Sequence, residues 1–237
     1  MKNKKSIIFA SVAAGFFLLF LVLTILVKFV DLGSIAPRAR GLEVGLSSLN
    51  KVFVAKEYNK HIDLFTDVLL YLSLFSFIFL IGIAIYQWVD RKSLKKIDRD
   101  IYFIGGLAVL MVILWVLFDK LAINYRPFSM SEKLEPSYPS THVLVTTFIT
   151  LSTFNLYGKY INKNLAKLAG IVVAMFLIMF VSVGRIASGM HYFTDVIGGL
   201  FLGLGLYFSY ETLKYTFLKE EKEEVEEKNV WASSFKR

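Results

Sequence analysis

The sequence predicts an all-α protein, an integral membrane bundle of six transmembrane helices. Three observations carry this prediction. Of 237 residues 56% are apolar and only 19% are charged, where soluble domains run near a quarter charged. The mean hydropathy is +0.58. Six apolar runs recur along the chain, each close to what is needed to cross a hydrocarbon layer about 30 Å thick. Aromatic residues reach 16% and cysteine is absent. These figures exclude a disordered chain, a disulfide-stapled domain, a thiolate metal site and a cysteine nucleophile.

The first run, Ser6 to Val27, carries no charge and follows the basic start Met1-Lys-Asn-Lys-Lys5. It is longer than a signal core and lacks a small-x-small cleavage site, so it reads as an uncleaved first helix. Val68 to Val89 and Ile101 to Phe118 are the second and third charge-free runs. Val143 to Gly158, Leu168 to Gly184 and Val196 to Tyr210 are shorter, with polar borders that suit the headgroup zone. Gly198, Gly199, Gly203 and Gly205 in the last run predict a closely packed helix.

Lys and Arg set the expected orientation. With the N-terminus inside, seventeen of the 27 cations fall in inner segments and ten in outer ones. Both termini are therefore expected in the cytoplasm, and the net charge of +8 reads as a topology signal rather than a nucleic-acid footprint. No nucleic-acid partner is expected; the lipid bilayer is the partner. Residues 28–63 form the longest external loop, punctuated by Gly33, Pro37, Gly41 and Gly45, and its stretch Leu46 to Tyr58 has the mixed composition of an interfacial segment. The charged run Lys219 to Lys228 reads as a solvated helix or a disordered end without chemistry.

Charged side chains near membrane helix ends need a reason, and three polar clusters stand out. Asp119-Lys120-Leu-Ala-Ile-Asn-Tyr-Arg126-Pro127 follows the third run, Pro139-Ser140-Thr141-His142 opens the fourth, and Gly184-Arg185-x5-His191-x3-Asp195 joins the fifth to the sixth. The helix count puts all three on the extracytoplasmic side. His191 and Asp195 are four apart and share a helix face. An Asp accepting from one ring nitrogen leaves the other free as nucleophile or base. His142 sits at a helix start, where free N–H groups and a hydroxyl suit an anion, and Lys120, Arg126 and Arg185 add cations matched to phosphate oxygens. The set is consistent with phosphoryl transfer through a phosphohistidine. No carboxylate cluster for Mg²⁺ accompanies it, so metal-independent chemistry with no cofactor is expected. His61, in the first loop, is read as uninvolved.

These three clusters resemble the signature of the type 2 phosphatidic acid phosphatase superfamily, membrane lipid phosphatases related in their site to vanadium haloperoxidases. That signature is Lys-x6-Arg-Pro, Pro-Ser-Gly-His and Ser-Arg-x5-His-x3-Asp. The resemblance covers about residues 101 to 213 and implies a four-helix catalytic core there. Two transmembrane helices with the external loop 28–63 would precede it (1–100), and a charged cytoplasmic tail (214–237) would follow. It implies that His191 attacks phosphorus, Asp195 orients it, and His142 protonates the leaving group and then activates water. Lys120, Arg126, Ser140, Arg185 and the backbone of Thr141 would hold phosphate oxygens. The implied substrate is a membrane lipid phosphate, a phosphomonoester or pyrophosphate on an isoprenoid or glycerolipid, at the outer face of the plasma membrane.

Three positions depart from the signature. Lys120 stands one residue closer to Arg126, a rotation of about 100° on a helix; either the Ile-Asn-Tyr stretch is non-helical or Lys120 plays a lesser part. Thr141 replaces a Gly, adding a hydroxyl and bulk near the phosphate. Gly184 replaces a Ser and removes a hydroxyl. A catalytically weak or inactive relative that binds or moves a lipid phosphate is the alternative; retention of His142, His191 and Asp195 favours the enzyme.

Overall fold

A computed structural model describes residues 4–35, 43–128, 134–161 and 164–234, with side chains beyond residue 217 left undescribed. The described chain is helical: α1 (Lys4–Phe29), α2 (Ser47–Phe53), α3 (Lys60–Arg91), α4 (Arg99–Leu121), α5 (Thr141–Tyr160), α6 (Asn164–Ala187) and α7 (Phe193–Ser234), with a 3₁₀ turn at Leu94–Lys96. Extended pairing among the described residues is confined to two isolated bridges, Gly33 with Val44 and Tyr125 with Pro136. Each apolar run lies within a long helix. Pro37 and Gly41 of the first loop lie outside the described residues, as do the side chains of Lys219 to Lys228.

Five of the long helices, α1, α3, α4, α6 and α7, are long and apolar enough to cross a membrane. The sixth, α5, has the length, about 30 Å at 1.5 Å per residue, but not the same apolar character. Its environment explains why. It is walled by α3, α6 and α7 and buries Thr146, Thr147, Thr150, Ser152 and Thr153. Thr153 donates to the Ile149 carbonyl at 2.7 Å and meets Ser76 of α3 at 3.0 Å, so these hydroxyls face protein rather than lipid chains.

α3 begins at Lys60, two turns before its charge-free run, and this shortens the expected external loop. Asn59 caps it, its Oδ1 accepting from the N–H of His61 and of Ile62 at 3.1 Å each, which supplies two of the four donors a helix start leaves open. The first two turns of α3 thus carry Asp63, Thr66 and Asp67 into the bundle. The segment read as interfacial instead folds partly inward. Asn50 of α2 is buried; its amide nitrogen donates to the Gly45 carbonyl at 2.9 Å and to Thr194 Oγ1 at 3.0 Å, while its oxygen accepts from the Thr194 N–H at 3.2 Å. Leu49 and Val52 on the same short helix remain exposed.

α7 is the axis of the bundle and packs chiefly on α1 and α5. Phe16 of α1 stacks on Phe208 with centroids 5.6 Å apart. The α7 glycines work as expected: a Cβ at Gly199 would stand 2.6 Å from the Ser140 carbonyl oxygen, and one at Gly203 2.8 Å from Thr147 Cβ. Close approach of α7 to α5 brings the second and third polar clusters together. At the opposite end, Asp98 binds Arg91 at 2.9 Å, Tyr160 at 2.7 Å and Lys159 at 3.3 Å. Burial pushes the Asp98 carboxyl up, but these three partners outweigh it and hold its pKa down at about 2.

Candidate active site

All three clusters converge at one end of the bundle, around a cavity of about 310 Å³. Arg126, Ser137, Thr141, His142 and His191 line it, with Asp119, Tyr138 and Pro139 beside them. Leu70 of α3 and Trp115 and Phe118 of α4 form its apolar wall. Ser140, Arg185 and Asp195 lie directly behind this lining, fully or almost fully buried.

His191 sits in the short link between α6 and α7 and is buried. Its Nδ1 lies 3.0 Å from the Ser137 carbonyl oxygen. A carbonyl only accepts, so Nδ1 carries the proton and Nε2 keeps its lone pair. Asp195 Oδ2 stands 3.8 Å from Nδ1, within electrostatic reach but outside hydrogen-bond range. Its oxygens are engaged elsewhere: Oδ2 accepts from the Tyr192 N–H at 2.9 Å and Oδ1 from Asn124 Nδ2 at 3.1 Å. Ser137 is thus the direct acceptor for the ring, and Asp195 pins the α7 start behind it. Burial, then the positive charges of Arg185 and Arg126, hold the His191 pKa well below its ordinary value. The imidazole is neutral at pH 7.

The second cluster is tied to the third through the backbone, since the Ser140 N–H donates to the Asp195 carbonyl at 2.9 Å. Ser140 is the N-cap of α5, and its hydroxyl makes no capping bond. Thr141 and His142 follow in the first turn. His142 Nε2 lies 2.8 Å from Asp67 Oδ1 on α3.

Arg185 projects from the last turn of α6 toward α3. Its Nη1 donates to Asp63 Oδ1 at 2.5 Å and to Thr66 Oγ1 at 3.2 Å, and lies 3.8 Å from Asp67. Tyr58 donates to the other Asp63 oxygen at 2.8 Å. The Gly184 departure has a physical partner here, because a Cβ at that position would overlap the Thr66 methyl. The hydroxyl lost at Gly184 is matched by one that Thr66 supplies from the facing helix.

The first cluster divides. After Leu121 the chain turns through Ala122 in the left-handed region, φ 45°, and runs extended to pair Tyr125 with Pro136. This carries Arg126 into the cavity lining, its Nη1 3.3 Å from Glu135 Oε2. Lys120 is still on α4, exposed, and outside the lining, while Asp119 joins it. The stretch between Lys120 and Arg126 is largely non-helical, so a one-residue difference in spacing moves the lysine rather than the arginine.

Arg126 Nε, Ser140 Oγ and Arg185 Nε are among the donors in this region that are buried without a hydrogen-bond partner among the described residues, with Ser137 Oγ and the Tyr192 hydroxyl beside them. Each such group costs about 1–3 kcal/mol unless something accepts from it. Two guanidinium groups and a hydroxyl offering unfilled N–H and O–H bonds beside a neutral imidazole suit an oxyanion with several acceptor oxygens.

The residues that sequence reading missed are Asp63, Thr66 and Asp67 on α3, together with Asn124 and Ser137. Their signal was the i, i+3, i+4 spacing of Asp63, Thr66 and Asp67, which places them on one helix face; it goes unseen when α3 is started at Val68.

Residues 115–217 match the family model described as the PAP2 superfamily. Among solved structures, the chain is similar to a transmembrane PAP2-type phosphatidylglycerolphosphate phosphatase from Bacillus subtilis, with a TM-score of 0.60 and 19% identity, covering 86% of this chain and 96% of that one. At that identity the likeness is one of fold. No curated protein matches the chain.

Proposed function

We propose that this membrane bundle, whose residues 115–217 match the PAP2 superfamily model, is a lipid phosphatase working through a phosphohistidine. The observation that carries the reading is the neutral His191 with Nδ1 committed to a carbonyl, set beside the unpartnered donors of Arg126, Ser140 and Arg185. A protein that only bound lipid phosphate would need those donors but not a prepared nucleophile.

In the proposed reaction His191 Nε2 forms a bond to phosphorus as the bond to the leaving oxygen breaks. His142 gives that oxygen a proton. Water then attacks phosphorus, losing its proton to His142 as the P–N bond breaks and phosphate leaves. Arg126, Arg185, Ser140 and the Thr141 N–H hold the non-bridging oxygens, on which charge develops. Lys120, exposed on α4, takes no direct part. Asp195 acts by fixing the α7 start and by its negative charge near Nδ1.

The substrate is a phosphomonoester or pyrophosphate on a long apolar chain. Leu70, Trp115 and Phe118 line the cavity between α3 and α4, and these helices are otherwise clad in exposed Leu, Val, Ile and Phe, a surface suited to lipid tails. The catalytic core is residues 101–213, the site faces away from the cytoplasm, and both termini lie on the cytoplasmic side of the plasma membrane. The test is phosphate release in detergent from isoprenoid pyrophosphates, phosphatidylglycerophosphate, phosphatidic acid and lipid A phosphates. Activity should vanish in His191→Ala and be blocked by orthovanadate; hydrolysis by the variant at the wild-type rate would show that the nucleophile is misassigned.

A further inference from the structure

We propose that Asp67 is a positioning residue for His142, fixing its ring so that proton transfer to and from the phosphate ester runs through Nδ1. The proposal rests on the phosphatase reading above and adds to it a carboxylate from α3, outside the matched residues 115–217.

The geometry separates the two α3 carboxylates. Asp63 is consumed by Arg185 at 2.5 Å and Tyr58 at 2.8 Å. Asp67, one turn further on, gives its close contact to His142 Nε2 at 2.8 Å and stands back from Arg185 at 3.8 Å. An ionised carboxylate is acceptor only, so Nε2 carries the proton and Nδ1 is the nitrogen left to exchange one. The Asp67 side chain is 35% exposed. It has access to solvent, so burial alone does not force the pairing. His142 itself is a cavity-lining residue in the first turn of α5, and the hydrogen bond to α3 sets the ring's rotation about its own side-chain torsions. His191 and His142 are thereby each held at one ring nitrogen by an acceptor from another segment, Ser137 for the first and Asp67 for the second.

The consequence is chemical. With Nε2 bound to Asp67, protonated His142 donates from Nδ1 to the leaving oxygen as the P–O bond breaks and the His191 Nε2–P bond forms. Nδ1 then takes a proton from the water that displaces His191. Asp67 holds its hydrogen bond to Nε2 throughout and exchanges no proton with the substrate.

General-acid help matters most for a poor leaving group, and this gives a test that a structural role would not mimic. Two phosphomonoesters with matched apolar chains, one an alkyl ester and one a nitrophenyl ester, are compared by kcat/KM, which reports phosphoryl transfer to His191. Asp67→Ala should lose roughly 10-fold or more on the alkyl ester and under about 3-fold on the nitrophenyl ester, following the pattern of His142→Ala. The isosteric Asp67→Asn is measured beside it in case the alanine variant does not fold. Equal losses on both esters, or none, in a wild type that cleaves both would overturn the role of Asp67 and leave the phosphatase reading standing. A wild type that cleaves neither ester would overturn the phosphatase reading, and this proposal with it.

Discussion

Gly184 of α6 and Thr66 of α3 occupy one another's space: the methyl of the threonine fills the position a side chain at 184 would take. The Thr66 hydroxyl meanwhile donates nothing to α6 but accepts from Arg185 at 3.2 Å. Placing at this point the serine of the signature that the sequence resembles should therefore damage rather than improve the site. We expect Gly184→Ser to destabilise the protein by about 1–3 kcal/mol through overpacking, a drop in Tm of several degrees for a chain of this size. The double variant Gly184→Ser with Thr66→Ser removes the methyl and keeps the hydroxyl, and should recover most of the loss. Thermal unfolding in detergent decides it; a stable single variant would contradict the packing.

Lys120 and Arg126 belong to one motif and should part company in function. Lys120→Ala is expected to leave kcat/KM within about 3-fold, because the lysine is exposed and outside the cavity. Arg126→Ala should lower it by about 10²–10³, the loss usual for a donor aimed at developing charge. Phosphate-release kinetics on one lipid substrate suffice, and a large effect at Lys120 would show that the helix end rearranges around ligand.

The depressed His191 pKa has two consequences of definite sign. Between its folded value and 6.5 the His191 ring stays neutral, so if it is the nucleophile, as proposed, kcat/KM should not fall as pH drops from 7 toward 6; a loss centred at 6.5 would contradict its burial. Over the same range the unfolded chain binds a proton at this residue that the folded chain does not. The His191 contribution to stability is thus complete above the unfolded value of 6.5 and is lost as pH falls below it.

Asn50 stands in for a cap on α7. Replacing it by Ala would strip partners from the Thr194 N–H, Thr194 Oγ1 and the Gly45 carbonyl, costing about 1–3 kcal/mol for buried groups left unpaired. Because Thr194 neighbours Asp195, activity should fall with stability, with faster hydrogen exchange at the α7 start. Unchanged exchange there would mean that the α7 start is held without it.

Much of the fold is legible in the sequence. Apolar runs locate all six long helices, and the spacing of Arg185, His191 and Asp195 marks a cluster that the structure brings to one end of the bundle. What stayed hidden has physical causes. Counting charge-free residues starts α3 at Val68 and consigns Asp63, Thr66 and Asp67 to a loop, although pairing with Arg185 and His142 lets those carboxylates enter the helix bundle. The threonines of α5 lower its apolar character because its neighbours are helices and not lipid. The i, i+4 spacing and the family resemblance both point to Asp195 as the direct partner of His191; the Ser137 carbonyl that takes that hydrogen bond belongs to a turn no periodicity reveals.

The hydrogen bond from the Ser140 N–H to the Asp195 carbonyl bears on how a phosphatase of the proposed kind can diversify. It couples the proposed phosphate cradle and the support of the proposed nucleophile into one part, so a change that shifts one drags the other. The apolar wall of Leu70, Trp115 and Phe118 lies outside that coupling, and new lipid preferences in such a scaffold should arise by exchange of those side chains while the proposed chemistry is inherited intact.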